Sequence, residues 1–166
     1  MQAILYNIRS AHNVGSIFRT ADAAGISKLY LCGYTPAPVD EYGLVRSRIA
    51  KVALGGEKTV PWEKIFSVAR LIARLRQEGK KIFAVEQSKK SVPYQRLHLS
   101  KKQLTSAVLV MGNEVKGLPA GVLNRVDKIL EIPMFGKKES LNVAVAFGIV
   151  AFGLVFNNKD KKSEKG

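Results

Sequence analysis

The sequence predicts an α/β domain built on a mainly parallel sheet with helices on both faces. Strand-like runs alternate with helical stretches along nearly the whole chain, the pattern of strand–helix–strand units. The 166 residues suit one domain, and 46% hydrophobic against 24% charged content is the balance of a globular core. No internal repeat or low-complexity block breaks the pattern. One domain is therefore expected over 1–157, followed by a basic, flexible tail over 158–166.

Taken in order, "QAILYNI" reads as a first strand. Asn13 offers an N-cap for a helix running to Gly25, with Val14, Ile17, Phe18, Ala21 and Ala24 on one apolar stripe. "KLYLCG" is a second strand. From Tyr34 to Trp62 the chain is irregular and rich in Pro and Gly, with a short helix around Leu44 to Ala53. "EKIFSVARLIARLRQEG" reads as an amphipathic helix closed by Gly79. "KKIFAVE", "SAVLVMG" and "KILEIPM" supply the third, fourth and fifth strands, and a closing helix begins near Leu141.

That closing helix is apolar from Val143 to Phe156 without a break. Fourteen residues fall short of the roughly 20 needed to span a bilayer. A helix apolar on every side is expected to be buried on every side, within the core or between subunits. Gly148 and Gly153 inside it each cost about 1 kcal/mol, which close approach by a neighbour would offset. The start, "MQAILYNIRS", has no charged segment ahead of a long apolar one, so no secretory signal is expected. A lone cysteine, Cys32, and two histidines, His12 and His98, leave no material for a disulfide framework or a structural zinc site. Such thrift with cysteine suits a cytoplasmic protein.

Net charge is +14. The tail carries four lysines against Asp160 and Glu164, which is +2 of that total and leaves +12 for the body. A charge of this size attracts polyanions, and nucleic acid is the expected partner. Arg46, Arg48 and Lys51 in "LVRSRIAKVALGG" are spaced to put cations on one flank of a short helix, either as a phosphate contact or as an ordinary solvated face. Tyr34 and Tyr42, in the same irregular stretch, are candidates to stack on bases.

In parallel sheets ligands lie beyond the carboxyl ends of the strands, and three polar clusters follow strands here. The first holds Asn13, Gly15 and Arg19 in "NIRSAHNVGSIFRT". Its bland alternative is an exposed Arg19 paired with Asp22. The second is "VLVMGNEVKGL", where Gly112 and Gly117 bracket Asn113, Glu114 and Lys116. Glycines there let backbone approach a ligand, although the spacing of a phosphate-cradling loop is absent. The third is "LEIPMFGKKESLNVAVAFG". Ser140 or Asn142 must cap the coming helix, but capping does not explain both.

Together and in this order, the clusters resemble the SpoU (TrmH) branch of the SPOUT RNA methyltransferases. The Asn13–Gly15–Arg19 pattern is similar to the family's first motif, "MGNEVKGL" to its second and "IPMFGKKESLNVAVA" to its third. The resemblance implies methyl transfer from S-adenosylmethionine to a ribose 2′-hydroxyl of tRNA or rRNA, a C-terminal deep trefoil knot, and a homodimer. It also implies a cofactor site made of Val85, Glu86, Met111, Gly112, Ile132, Met134, Ser140 and Leu141, and a catalytic set of Arg19, Asn13, Glu114, Ser140 and Asn142. The resemblance gives Arg19 the role of base; because a guanidinium is a poor proton acceptor, Arg19 is expected instead to grip a phosphate and stabilise the developing alkoxide, with Glu114 orienting Arg19 or a partner and Asn13 with Asn142 fixing the ribose. No metal is required, because the cofactor carries its own leaving group. A non-catalytic RNA-binding protein on the same fold is the alternative. A nucleotide-dependent oxidoreductase is disfavoured by the missing glycine fingerprint after the first strand.

Overall fold

A computed structural model describes residues 1–157; the expected tail over 158–166 lies outside the described residues. Seven strands form a single, wholly parallel sheet: β1 (Gln2–Tyr6), β2 (Leu29–Cys32), β3 (Trp62–Ile65), β4 (Lys81–Val85), β5 (Val92–Pro93), β6 (Ala107–Met111) and β7 (Lys128–Glu131). Their order across the sheet is β3-β2-β1-β6-β4-β7-β5. Among the described residues seven α-helices accompany them: α1 (Ala11–Ala23), α2 (Ser47–Ala53), α3 (Gly56–Thr59), α4 (Val68–Gln77), α5 (Lys101–Ser106), α6 (Ala120–Leu123) and α7 (Val143–Phe156).

Each central strand buries alternate residues on opposite faces, so the sheet separates two cores. On one face Ala3, Leu5, Leu29, Leu31, Leu109 and Met111 meet Val14, Ile17, Phe18 and Ala21 of α1 and Phe147, Val150 and Ala151 of α7. On the other, Ile4, Tyr30, Ile82, Val108 and Val110 meet Val68, Leu71, Ile72 and Leu75 of α4 and Val122 of α6. The apolar stripe expected for α1 is the one it buries. Cys32 lies fully buried in the second core, and burial pushes its thiol up to about 12.

Several expected boundaries are corrected. Asn13 does not cap α1: the cap is Ser10, whose hydroxyl accepts from the Asn13 backbone N–H at 3.2 Å. The segment expected as one helix from Glu63 to Gly79 divides at Ser67, which caps α4. Ahead of it, Trp62–Ile65 pairs with β2, and Glu63 is held by Lys28 at 2.8 Å and Arg74 at 3.4 Å. Periodicity ran across the join because Phe66, 94% exposed, falls where a helix would bury it. The two-residue β5 and the short α3, α5 and α6 were not expected; they contain too few residues to show a period.

Burial of α7 is one-sided within the chain, not complete. Val143, Phe147, Val150, Ala151 and Leu154 face the core, whereas Val145 is 52% exposed and Ile149 and Phe152 are only partly covered. The two glycines differ as well. A Cβ at Gly153 would stand 2.3 Å from the Tyr94 ring, so close approach does require glycine there. At Gly148 it would meet only Thr20 Cγ2 at 3.5 Å, an ordinary contact. Among the described residues no helix is long and apolar enough to cross a membrane.

Candidate active site

The carboxyl ends of β4, β6 and β7 open into a cleft enclosing about 740 Å³, part of it continuous with solvent. The loop after β6 forms one wall, and its shape follows from three residues. Asn113 accepts the N–H groups of Val115 at 3.0 Å and Lys116 at 2.8 Å through Oδ1, winding the chain into a tight turn. Its Nδ2 donates to Asn7 O at 2.8 Å and to the Tyr34 hydroxyl at 2.9 Å, anchoring the turn to the ends of β1 and β2. Gly117 then reverses the chain at φ +61°, and the next N–H, of Leu118, donates to Glu86 Oε2 at 2.8 Å.

Behind this wall the three polar clusters join in one directional chain of hydrogen bonds. Glu114 accepts from the backbone N–H groups of Arg9 and Ser10, each at 3.0 Å, and from Asn13 Nδ2 at 3.0 Å. A carboxylate only accepts, so Asn13 must offer it the amide nitrogen. That leaves Asn13 Oδ1 to accept from Asn142 Nδ2 at 3.0 Å. Asn142 Oδ1 in turn caps α7, accepting from Ala144 at 2.9 Å and Val145 at 3.4 Å. Burial alone would raise the Glu114 carboxyl. The donors from Arg9, Ser10 and Asn13 outweigh it, and the group sits below the ordinary glutamate range.

Asn142→Ala removes the α7 cap and the donor to Asn13 together. It is expected to cost about 1–2 kcal/mol, read as a lower urea midpoint at unchanged slope.

The cleft is lined by all eight residues expected to hold a cofactor: Val85, Glu86, Met111, Gly112, Ile132, Met134, Ser140 and Leu141. Glu114 lines it too, with Asn13 one hydrogen bond from Glu114 and Asn142 one further. Arg19 is not brought there. It is exposed on the outer face of α1, outside the lining, and makes no hydrogen bond or ion pair among the described residues. Glu114 therefore orients Asn13, not Arg19, and Asp22 accepts from the Thr59 hydroxyl at 2.6 Å instead of pairing with Arg19. Arg46, Arg48 and Lys51 are all exposed at or on α2.

Sequence reasoning passed over Glu131 and Gln87, and placed Asn113 in the second cluster without giving it a role. Glu131 lines the cleft and accepts from the Ser91 hydroxyl at 2.5 Å, and Gln87 reaches Ile132 O at 3.0 Å. For Asn113 the signal was present: an Asn directly after a strand-end glycine is placed for a side-chain-to-backbone turn.

Comparison with known proteins gives the same picture. Residues 1–152 match the SpoU rRNA Methylase family. The chain belongs to that family. Among its SpoU relatives, the 23S rRNA (guanosine-2′-O-)-methyltransferase RlmB of Neisseria meningitidis serogroup B is 35% identical over 147 residues, 89% of this chain and 54% of that protein. An AdoMet-bound rRNA methyltransferase structure from Sinorhizobium meliloti superposes with a TM-score of 0.81 at 30% identity, covering 92% of this chain and 54% of that one. A structure described by the 2-OH methylation of C/U34 on tRNA superposes at 0.78 with 27% identity, covering 94% of both chains. This SpoU chain thus spans about half the length of the curated relative from Neisseria.

Proposed function

We propose that this SpoU chain transfers a methyl group from S-adenosylmethionine to a ribose 2′-hydroxyl of tRNA or rRNA in the cytoplasm, working as a homodimer. One observation carries the proposal. Among the described residues no lysine or arginine lines the cleft, whereas Glu86, Glu114 and Glu131 all do. An acidic, half-apolar cleft suits a donor that carries a sulfonium, an ammonium and an adenine, and it does not suit a phosphate-rich nucleotide. Val85, Met111, Ile132, Met134 and Leu141 supply the apolar walls, and the backbone of the 112–117 loop supplies hydrogen-bonding edges.

When bound, the donor supplies an activated methyl group with its own leaving group. The protein's own residues supply positioning and charge. The Glu114–Asn13–Asn142 chain locks the ends of β1, β6 and α7 into one rigid frame. A guanidinium offers N–H donors and no acceptor, so Arg19 serves as an electrostatic partner of the developing alkoxide and a nearby phosphate, not as a base.

Arg19 reaches the chemistry through the dimer. Asn13 contacts Asn142, and Thr20 faces Gly148, so α1 runs alongside α7 in the same direction. The uncovered flank of α7, Val145, Ile149 and Phe152, is continuous with Leu141, Val143 and Ala146 of the cleft. A two-fold contact over that flank buries it and sets Arg19 of one copy beside the cleft of the other. The C-terminal knot belongs to the same reading. The segment after β4 pairs outside β7 at Val92–Pro93, lays Tyr94 on α7 at Gly153, and returns to β6 inside β4. It thereby brackets the strand and helix that follow.

The full chain, incubated with methyl-labelled S-adenosylmethionine and bulk tRNA or rRNA from cells lacking it, is expected to yield a labelled 2′-O-methylnucleoside on digestion and mass spectrometry. RNA binding without calorimetric uptake of S-adenosylmethionine would establish the non-catalytic alternative instead. Val145→Asp puts a charge in the uncovered flank and is expected to shift sizing elution to the monomer and to abolish transfer; a monomeric wild type overturns the shared site.

A further inference from the structure

Beside the acidic cleft lies a second one of opposite character. Arg9, Tyr34, Pro36, Asn113, Val115 and Lys116 line it. Asn113 and Val115 belong to both, so the 113–117 turn is a shared wall. Among the described residues no carboxylate lines the second cleft, and its two charged residues are both cations.

Tyr34 sets the character of this cleft. Its side is 56% exposed, yet it is held at both ends. The Tyr34 backbone N–H donates to Asn7 Oδ1 at 3.2 Å, and its hydroxyl accepts from Asn113 Nδ2 at 2.9 Å. Asn7 stands at φ +56°, and Gly33 at φ +61° leaves no room for a Cβ beside the Asn7 amide. The turn that aims the ring is thus fixed by two residues in left-handed backbone. Lys64 Nζ tightens it further, donating to Gly33 O at 2.6 Å and Thr35 O at 2.5 Å. Tyr42, in the same irregular stretch, makes a useful contrast: it is 81% exposed, and its ring makes no hydrogen bond or ring contact among the described residues. An exposed aromatic face immobilised before any ligand arrives pays little entropy on binding.

We infer that the second cleft receives an unpaired nucleotide of the RNA, its base stacked on the Tyr34 ring and its flanking phosphates held by Arg9 and Lys116. The ring lies across the shared turn from the acidic cleft, which places this base as that of the ribose presented for methylation. A flat aromatic surface sharing a cleft with two cations is the recognition pattern of single-stranded nucleic acid, and stacking on it tolerates any base. A paired base has its faces covered, so the cleft selects looped or bulged RNA. This inference rests on the RNA-methyltransferase reading only for its last step, the identity of the ribose; the stacking itself stands apart from it.

The test uses the full chain and fluorescein-labelled oligouridylate, with an otherwise identical oligomer abasic at its central positions. Tyr34→Ala is expected to weaken oligouridylate binding about tenfold, while Tyr34→Phe, which keeps the ring and loses the hydroxyl, stays within about threefold of wild type. Toward the abasic oligomer Tyr34→Ala and wild type should bind alike. Arg9→Ala with Lys116→Ala should weaken both oligomers and lower the salt slope by about 1.4, two single-strand phosphate contacts. A 2-aminopurine oligomer provides a readout on the unmutated protein: stacking quenches its fluorescence on binding. Unquenched 2-aminopurine in the wild-type complex, or a Tyr34→Ala loss of equal size on the abasic oligomer, overturns the proposal. Calorimetry with S-adenosylmethionine separates the two readings. Stacking without donor binding removes the methyltransferase assignment and leaves the base site; donor binding without stacking does the reverse.

Discussion

Arg19→Ala is expected to lower the rate of methyl transfer by about two to three orders of magnitude while S-adenosylmethionine binds within about twofold of wild type. Both halves follow from where the side chain stands. Arg19 lies outside the acidic cleft and makes no hydrogen bond or ion pair to a described residue that lines it, so its loss is expected to leave the donor site intact. Under the proposed dimer, an exposed guanidinium with no hydrogen bond or ion pair among the described residues serves the acceptor side of the reaction, through a second copy. Arg19→Lys separates a forked grip from a simple positive charge. The lysine is expected to recover less than about a tenth of the lost rate, because a point charge cannot bridge a phosphate and an alkoxide at once. Single-turnover transfer, together with calorimetric titration of the donor, checks both. Full activity in either variant removes Arg19 from the mechanism, and a matching loss of donor affinity makes it a structural residue instead.

Gly117→Ala is the second large effect, and it strikes the other side of the reaction. The residue sits at φ +61°, and an added Cβ would stand 2.3 Å from Glu86 Oε2. That oxygen is the acceptor for Leu118 N–H. The left-handed conformation costs an alanine about 1 kcal/mol, and displacing Glu86 strands the Leu118 N–H for about 1–3 kcal/mol more. Donor affinity should fall by at least about a hundredfold, since the same loop is a wall of the cleft, and stability by about 2–4 kcal/mol. The clash is separable from the backbone strain. With Glu86→Ala already in place, Gly117→Ala should cost only the strain, a coupling that denaturation of the four variants in a double-mutant cycle would show. Purely additive losses would mean that Glu86 does not feel the new methyl group.

Much of this architecture is legible in the residues, for identifiable reasons. The strands β1, β2, β4, β6 and β7 and the helices α1, α4 and α7 announce themselves because their apolar residues repeat often enough to fix a period. The walls of the cleft are legible for a different reason: the strand ends of a parallel sheet converge by topology, so any polar or glycine-rich segment following β4, β6 or β7 must meet the others. The partnerships were not legible. Whether Glu114 would reach Arg19 or Asn13 depends on which face of α1 turns inward. Moving the cap from Asn13 to Ser10 rotates Asn13 from the mouth of the helix onto its buried side, where its amide faces Glu114 and Asn142. The fixed posture of Tyr34 was equally hidden, because it depends on the Asn113 amide, 79 positions away.

Cys32 offers a practical handle. The sole thiol of the chain lies fully enclosed against α4, and its proton is held tightly enough that almost no thiolate exists near neutrality. The folded protein should therefore ignore alkylating and oxidising reagents and tolerate purification without reductant. Any labelling that does occur must wait for β2 to part from its neighbours, so the rate of thiol modification is a clock for the opening of the sheet.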